Sequence, residues 1–156
     1  EVGADRIVND VAAIRKYGAP LIVIDFGTAT TFNAINEKGE FIGGAVAPGM
    51  RGSLDSLVSG TAKLPRVEIE TPKSVIGKNT TTNLQAGLVF GFAGLVDYIV
   101  KKTKREMKLP DIQVVATGGF SGIIAKEVGC IDHVDKLLTL QGLKYLYDLN
   151  CSEGKK

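Results

Sequence analysis

Three short segments of the chain combine residue types that could do chemistry. The first is Asp25-Phe26-Gly27-Thr28-Ala29-Thr30-Thr31, directly after the apolar run Leu21-Ile22-Val23-Ile24. A carboxylate at the end of a buried strand is well positioned but costly to bury unpaired, and a cation beside it would compensate the charge. Gly27 permits a tight turn, and successive backbone N–H groups with the Thr28, Thr30 and Thr31 hydroxyls can line an anion cradle. The plainer alternative is a hairpin whose threonines satisfy turn hydrogen bonds. The second segment is Gly3-Ala4-Asp5-Arg6, at a predicted helix start. Asp5 would sit by the positive end of the helix dipole, where a carboxylate could accept a proton from an attacking hydroxyl. Arg6 could clamp a substrate carboxylate through two parallel hydrogen bonds. Against this stands the ordinary role of Asp as an N-cap, with Arg on the surface. The third is Thr117-Gly118-Gly119 after the apolar run Ile112 to Ala116, where two glycines would let a flat ligand lie on the backbone, or simply let elements pack closely. Gly77-Lys78-Asn79-Thr80 reads mostly as a turn and helix cap with a hydroxyl left over.

The elements that must position these residues follow from periodicity. Ile7, Val8, Val11, Ala12 and Ile14 have helical spacing over 5–17, ended by Gly18-Ala19-Pro20. Strands are predicted over 21–25, 31–36 and 41–47, joined by the turns at 26–30 and 37–40. A short helix around Leu54, Leu57 and Val58 ends at Gly60, and 61–78 is irregular, interrupted by Pro65 and Pro72. A long helix runs from Thr80 to about Arg105, with Leu84, Leu88, Gly91, Leu95 and Ile99 as its apolar stripe and Asn79 or Thr80 as its cap. A strand over 112–116, a short helix to Lys126, a weak extended piece over 131–134 and a last helix over 139–149 complete the order. Helices on a mixed sheet make the fold class α/β. Gly87, Gly91 and Gly94 on one face of the long helix are expected to permit close packing, including at a dimer interface.

Composition narrows the function classes. The 156 residues are 44% hydrophobic and 23% charged, as in a globular protein. Nineteen basic against 17 acidic residues leave +2, which makes no electrostatic case for a nucleic acid or an anionic membrane. Lys101, Lys102, Lys104, Arg105 and Lys108 fit a solvated helix C-terminus. The apolar run Leu88 to Val96 is shorter than the ~20 residues of a membrane span. Cys130 and Cys151, with His133, lack the spacing of a zinc site or a disulfide framework, so a cytoplasmic setting is expected. The 19 glycines, about 12% against an average of roughly 7%, point to tight turns and close backbone approaches.

Taken in order, several motifs resemble the type III pantothenate kinases. They are Gly3-Ala4-Asp5-Arg6-Ile7-Val8-Asn9, Asp25 to Thr31, and Gly43-Gly44-Ala45-Val46-Ala47-Pro48-Gly49. Thr61-Ala62-Lys63-Leu64-Pro65, Ser74-Val75-Ile76-Gly77-Lys78-Asn79-Thr80 and Ala116-Thr117-Gly118-Gly119 continue the series. The resemblance implies an actin-like, RNase H-like kinase fold of two related lobes with ATP between them. It implies phosphorylation of pantothenate by ATP, the first step towards coenzyme A, in the bacterial cytoplasm. By position, Asp5 is the implied general base, and Gly3, Ala4, Asp5 and Arg6 the substrate-binding segment. Asp25 lies near a monovalent cation, Gly27, Thr28 and Thr30 near the phosphates, and Gly118 and Gly119 on the adenosine side. Thr80 would reach the pantothenate pocket of the partner subunit in a homodimer. Mg²⁺ and K⁺ or NH₄⁺ accompany ATP in this family. The Asp-x-Gly-Asn-Thr phosphate loop of the family's N-terminal lobe has no counterpart here. Residues 1–156 are therefore expected to form the C-terminal lobe alone, inactive without the other lobe. A non-catalytic regulatory role is the competing expectation.

Overall fold

The structure, a computed structural model, describes residues 3–60 and 66–153. The motif at 61–65 lies outside the described residues. Helix α1 (Ala4–Tyr17) precedes three strands, β1 (Leu21–Phe26), β2 (Ala29–Ile35) and β3 (Phe41–Pro48). Helices α2 (Met50–Ser59) and α3 (Thr80–Met107) lead to β4 (Gln113–Gly118), α4 (Ser121–Ala125), β5 (His133–Val134) and α5 (Leu138–Glu153). The sheet order is β3-β2-β1-β4-β5. β2 is antiparallel to both neighbours, while β1 pairs parallel with β4 and β4 with β5. One reversed strand in an otherwise parallel sheet flanked by helices is the mixed α/β sheet expected from the sequence.

Both faces of β1 are covered, which is why Leu21 to Ile24 is apolar without alternation. Ile22, Ile24 and Phe26 join Phe32, Val114 and Ala116 beneath α2, α3 and α4 in the larger core. Leu21 and Val23 join Ile35 and Val115 with Ala12, Ala13 and Leu138 in a smaller one under α1 and α5. Asp25 and Asn33 share the parity of the second face, so the polar residues of β1 and β2 look towards α1.

Several boundaries differ from expectation for physical reasons. Strand β2 begins at Ala29, two residues early, because Thr30 already pairs with Phe26 and Ala47. Asp5 is not the α1 cap: Gly3 occupies that position and no side chain caps the helix. The buried stripe of α3 is Ala86, Leu88, Val89, Phe92, Ala93, Val96 and Val100, so the helix is rotated from the expected stripe and Gly91 faces out. This 28-residue helix is long and apolar enough by length and composition to cross a membrane, but its buried stripe packs in the larger core. Asn79 caps it: its side chain accepts from the Thr82 N–H, and the Asn79 N–H donates to the Thr82 hydroxyl.

Among the described residues, Gly87, Gly91 and Gly94 pack against no other element: a Cβ at any of them meets no atom within 4 Å. The close helix approach is made at Gly142 of α5, where a Cβ would fall 2.3 Å from the Val8 carbonyl oxygen of α1. Gly142→Ala should therefore force α1 and α5 apart and cost about 1–3 kcal/mol in denaturant unfolding. Gly91→Ala should be neutral or stabilising by up to about 1 kcal/mol, through helix propensity alone. Equal effects of the two substitutions would contradict this packing.

Candidate functional site

The short connection 18–20 joins the end of α1 to the start of β1, so α1 runs back over the sheet and its first turns lie above the far end of β1. There Thr117, Asp25, Thr31 and Val46 are in register across β4, β1, β2 and β3. Asn9 Nδ2 donates to Asp25 Oδ2 at 3.1 Å, and Asn9 Oδ1 accepts from the Thr139 hydroxyl of α5 at 2.7 Å. In the next row, the Arg6 Nε–H donates to Asn33 Oδ1 at 2.8 Å, and Nη2 donates to the same oxygen. Asn33 Nδ2 in turn donates to both oxygens of Asp10, at 2.8 and 2.9 Å. Asn9, Asp10 and Asn33 are buried, Arg6 is half-buried, and Asp5 is exposed on the first turn.

Apolar periodicity did not identify Asn9 and Asp10 on α1 or Asn33 on β2, since it assigns polar residues to solvent. Ile7, expected in the stripe, is instead 49% exposed. The available signal was Asn33, a polar residue at an inward position of a strand.

Burial raises the Asp25 carboxyl above the usual range; the Asn9 hydrogen bond opposes this and the nearby Asp5 charge adds to it. Among the described residues the ion pairs are Lys16–Asp135, Arg51–Glu68 and Lys101–Asp97, so Asp25 has no basic partner. A carboxylate so placed, with a second acidic residue nearby, suits an oxygen-liganded cation. No group of three or more His, Cys, Asp or Glu among the described residues could hold a metal ion by itself. The Asp10 carboxyl is pushed up to about 6 by burial, which outweighs the Asn33 hydrogen bond and the Arg6 charge.

The turn between β1 and β2 is narrower as a cradle than its composition suggests. The Gly27 N–H donates to the Ala29 carbonyl at 3.1 Å, and the fully buried Thr30 hydroxyl donates to the Pro48 carbonyl at 3.1 Å. Thr30 thus ties β2 to β3, because the early start of the strand turns it towards the α3 side. Thr28 is exposed, and the Thr28 carbonyl lies against Gly49, the N-cap of α2, a helix with no side-chain cap. Gly118 has φ +93°, and a Cβ there would fall 2.6 Å from the Phe26 carbonyl oxygen, so only glycine lets β4 leave the sheet at this point. Gly119 beside it is exposed and open. Thr80 sits exposed at the start of α3, on the helix that covers the opposite face from Asp5.

Residues 1–102 match the family described as Type III pantothenate kinase. The chain belongs to this family. A type III pantothenate kinase of Moorella thermoacetica is 56% identical over 150 residues, covering 96% of the chain and 59% of that relative. The chain thus spans about three fifths of the length of the curated relative it matches. Among solved structures, a Baf family protein of Campylobacter jejuni, described as a candidate transcriptional activator, has TM-score 0.62 at 20% identity, over 93% of this chain and 65% of that one. The activator of 2-hydroxyisocaproyl-CoA dehydratase from Clostridium difficile has TM-score 0.49 at 14% identity, over 97% and 69%. The Campylobacter likeness concerns the fold. In this pantothenate kinase family member, the Asp5 charge acts on Asp25 at the end of β1, while Arg6 reaches Asn33 one row further along the sheet.

Folding raises Asp10 from 3.8 to about 6, so between those values the folded state holds a proton that the unfolded state has released. That contribution to stability falls as pH rises through this window, by about 3 kcal/mol at most. Asp10→Asn removes the titration. Denaturant unfolding at pH 4 and pH 7 should show the variant gaining on the wild type by up to that amount. A pH-independent difference would contradict the buried carboxyl.

Proposed function

We propose that these residues form the pantothenate-binding lobe of an ATP-dependent pantothenate kinase that works as a homodimer in the bacterial cytoplasm. The observation that carries the reading is the first turn of α1: an exposed carboxylate, Asp5, whose charge acts on Asp25, followed by Arg6, whose guanidinium is held by Asn33. In this reading Arg6 binds the pantothenate carboxylate and Asp5 takes the proton of its terminal hydroxyl. The hydroxyl oxygen attacks the γ-phosphorus of ATP, the bond to the β,γ-bridging oxygen breaks, and ADP leaves. Such transfers depend on positioning and charge neutralisation more than on covalent participation by the protein. Thr28 and the uncapped start of α2 favour the phosphates, and the open backbone at Gly119, beside the strained Gly118, favours the adenosine side. Asp25 would hold the monovalent cation, K⁺ or NH₄⁺, and Mg²⁺ would arrive bound to the ATP phosphates; together they offset negative charge. The remaining ATP contacts belong to the N-terminal lobe of the complete enzyme. The open face of α3 at Gly87, Gly91 and Gly94 is available to the second subunit, whose substrate pocket Thr80 would reach.

Steady-state kinetics on the full-length enzyme test the reading. Asp5→Asn should lower kcat by roughly 10²–10⁴ with little change in the KM for pantothenate. An unchanged kcat would remove Asp5 as the base, and DNA binding without ATP-dependent phosphorylation would overturn the function. Residues 1–156 alone should not turn over until the other lobe is added. Titration with K⁺ and NH₄⁺ should stimulate the wild type and leave Asp25→Ala unresponsive; equal stimulation of both would place the cation elsewhere.

A further inference from the structure

We propose that Asp10 and Asn33 are positioning residues that set the direction of the Arg6 guanidinium and thereby select a substrate bearing a carboxylate. The proposal rests on the reading of Arg6 as the carboxylate-binding group and adds how that group is aimed. Arg6 has five N–H donors. The Nε–H and one N–H of Nη2 converge on Asn33 Oδ1, leaving three to face a ligand. The Phe41 ring lies 5.5 Å from Cζ and covers one side of the guanidinium. Gly44, the register partner of Asn33 on β3, borders Nη2, which would be 3.1 Å from a Cβ at that position.

The aim of the guanidinium depends on which end of Asn33 it meets. An amide has a donor end and an acceptor end of nearly the same shape. Asn33 is 2% exposed and held in the ladder opposite Val23 and Gly44, so it cannot follow a moving partner. Asp10 decides the orientation: its ionised carboxylate only accepts, so Nδ2 must face it and Oδ1 must face Arg6. On its other side Asp10 borders an apolar cleft of about 300 Å³ lined by Ile7, Val11, Ile14, Ile35 and Phe41. Among the described residues its hydrogen-bond partner is Asn33. An apolar residue at position 10 would fill that space without burying a charge. It could not tell the two ends of Asn33 apart.

The test compares pantothenate with its uncharged alcohol analogue, pantothenol, as substrates of the full-length enzyme. Asn33→Ala and Asp10→Ala should raise the KM for pantothenate roughly ten- to hundredfold, the scale of a misdirected hydrogen bond to a charge. They should leave kcat within about threefold and the pantothenol KM unchanged. Asp10→Asn offers Asn33 a donor end as well as an acceptor end, so it should recover only part of the pantothenate affinity lost in Asp10→Ala. In an Arg6→Ala background, Asp10→Ala and Asn33→Ala should add nothing, since they act through Arg6. Equal loss for both substrates, or additive effects with Arg6→Ala, would overturn the positioning role while leaving the kinase reading intact. Failure of Arg6→Ala itself to discriminate the two substrates would overturn the carboxylate-binding reading and the proposal with it. If Asp10→Ala does not fold, Asn33→Ala, alone and with Arg6→Ala, decides.

Discussion

Asn9 and Asp10 are buried on the inner face of α1, and each must find its hydrogen bonds inside the protein. A buried polar group left unpaired costs about 1–3 kcal/mol, enough to matter against the stability of a small domain. That requirement sets where α1 lies on the sheet. Asn9 reaches Asp25 on β1 and Thr139 on α5, and Asp10 reaches Asn33 on β2. Sliding α1 by one residue would break these bonds together. The position of Asp5 and Arg6 over the end of β1 follows from the same contacts.

A second polar clasp holds the other end of α1. Lys16 Nζ lies 2.6 Å from Asp135 Oδ2, the Tyr17 hydroxyl donates to the same oxygen at 3.0 Å, and the Tyr17 ring stacks on His133 at 4.5 Å. Between the clasps, Ala12 and Ala13 bring the helix close to Leu21, Val23 and Val115. The two faces of the sheet therefore divide the work. The α3 side carries most of the large apolar side chains and supplies hydrophobic stabilisation. The α1 side has a small core and a polar margin, where carboxylates and a guanidinium can be presented to a ligand. Ligand sites outside the carboxyl ends of parallel strands are common in open α/β sheets, and Asp25 and Gly118 end β1 and β4 at such an edge.

Much of this was legible in the residues. The apolar run Leu21 to Ile24, the turn at Gly39 and the breaks at Gly18 and Gly60 carried strong local signals, and the elements there match them closely. Other features depended on which neighbour a residue meets. Thr30 read as a ligand-facing hydroxyl, yet strand pairing turned it to Pro48. Gly91 read as a packing glycine and lies open, whereas Gly142, embedded in an ordinary helical pattern, is the one pressed against Val8. Helical spacing shows that glycines share a face but not whether another element covers it.

What the sequence determined by itself was the α/β class, the order of the elements and the family, and it singled out Gly3 to Arg6, Asp25 to Thr31 and Thr117 to Gly119 as candidate segments for chemistry. These rest on local backbone preferences and on motif content, both written within a few consecutive residues. The tertiary structure alone decided that Asn9, Asp10 and Asn33 turn inward, that Asn33 separates Arg6 from Asp10, and that Asp25 stands without a basic partner among the described residues. Residues 10 and 33 lie 23 positions apart in the chain and meet only when β2 pairs with β1 beneath α1. A hydrogen bond between them is a property of that register, and no local pattern can encode it.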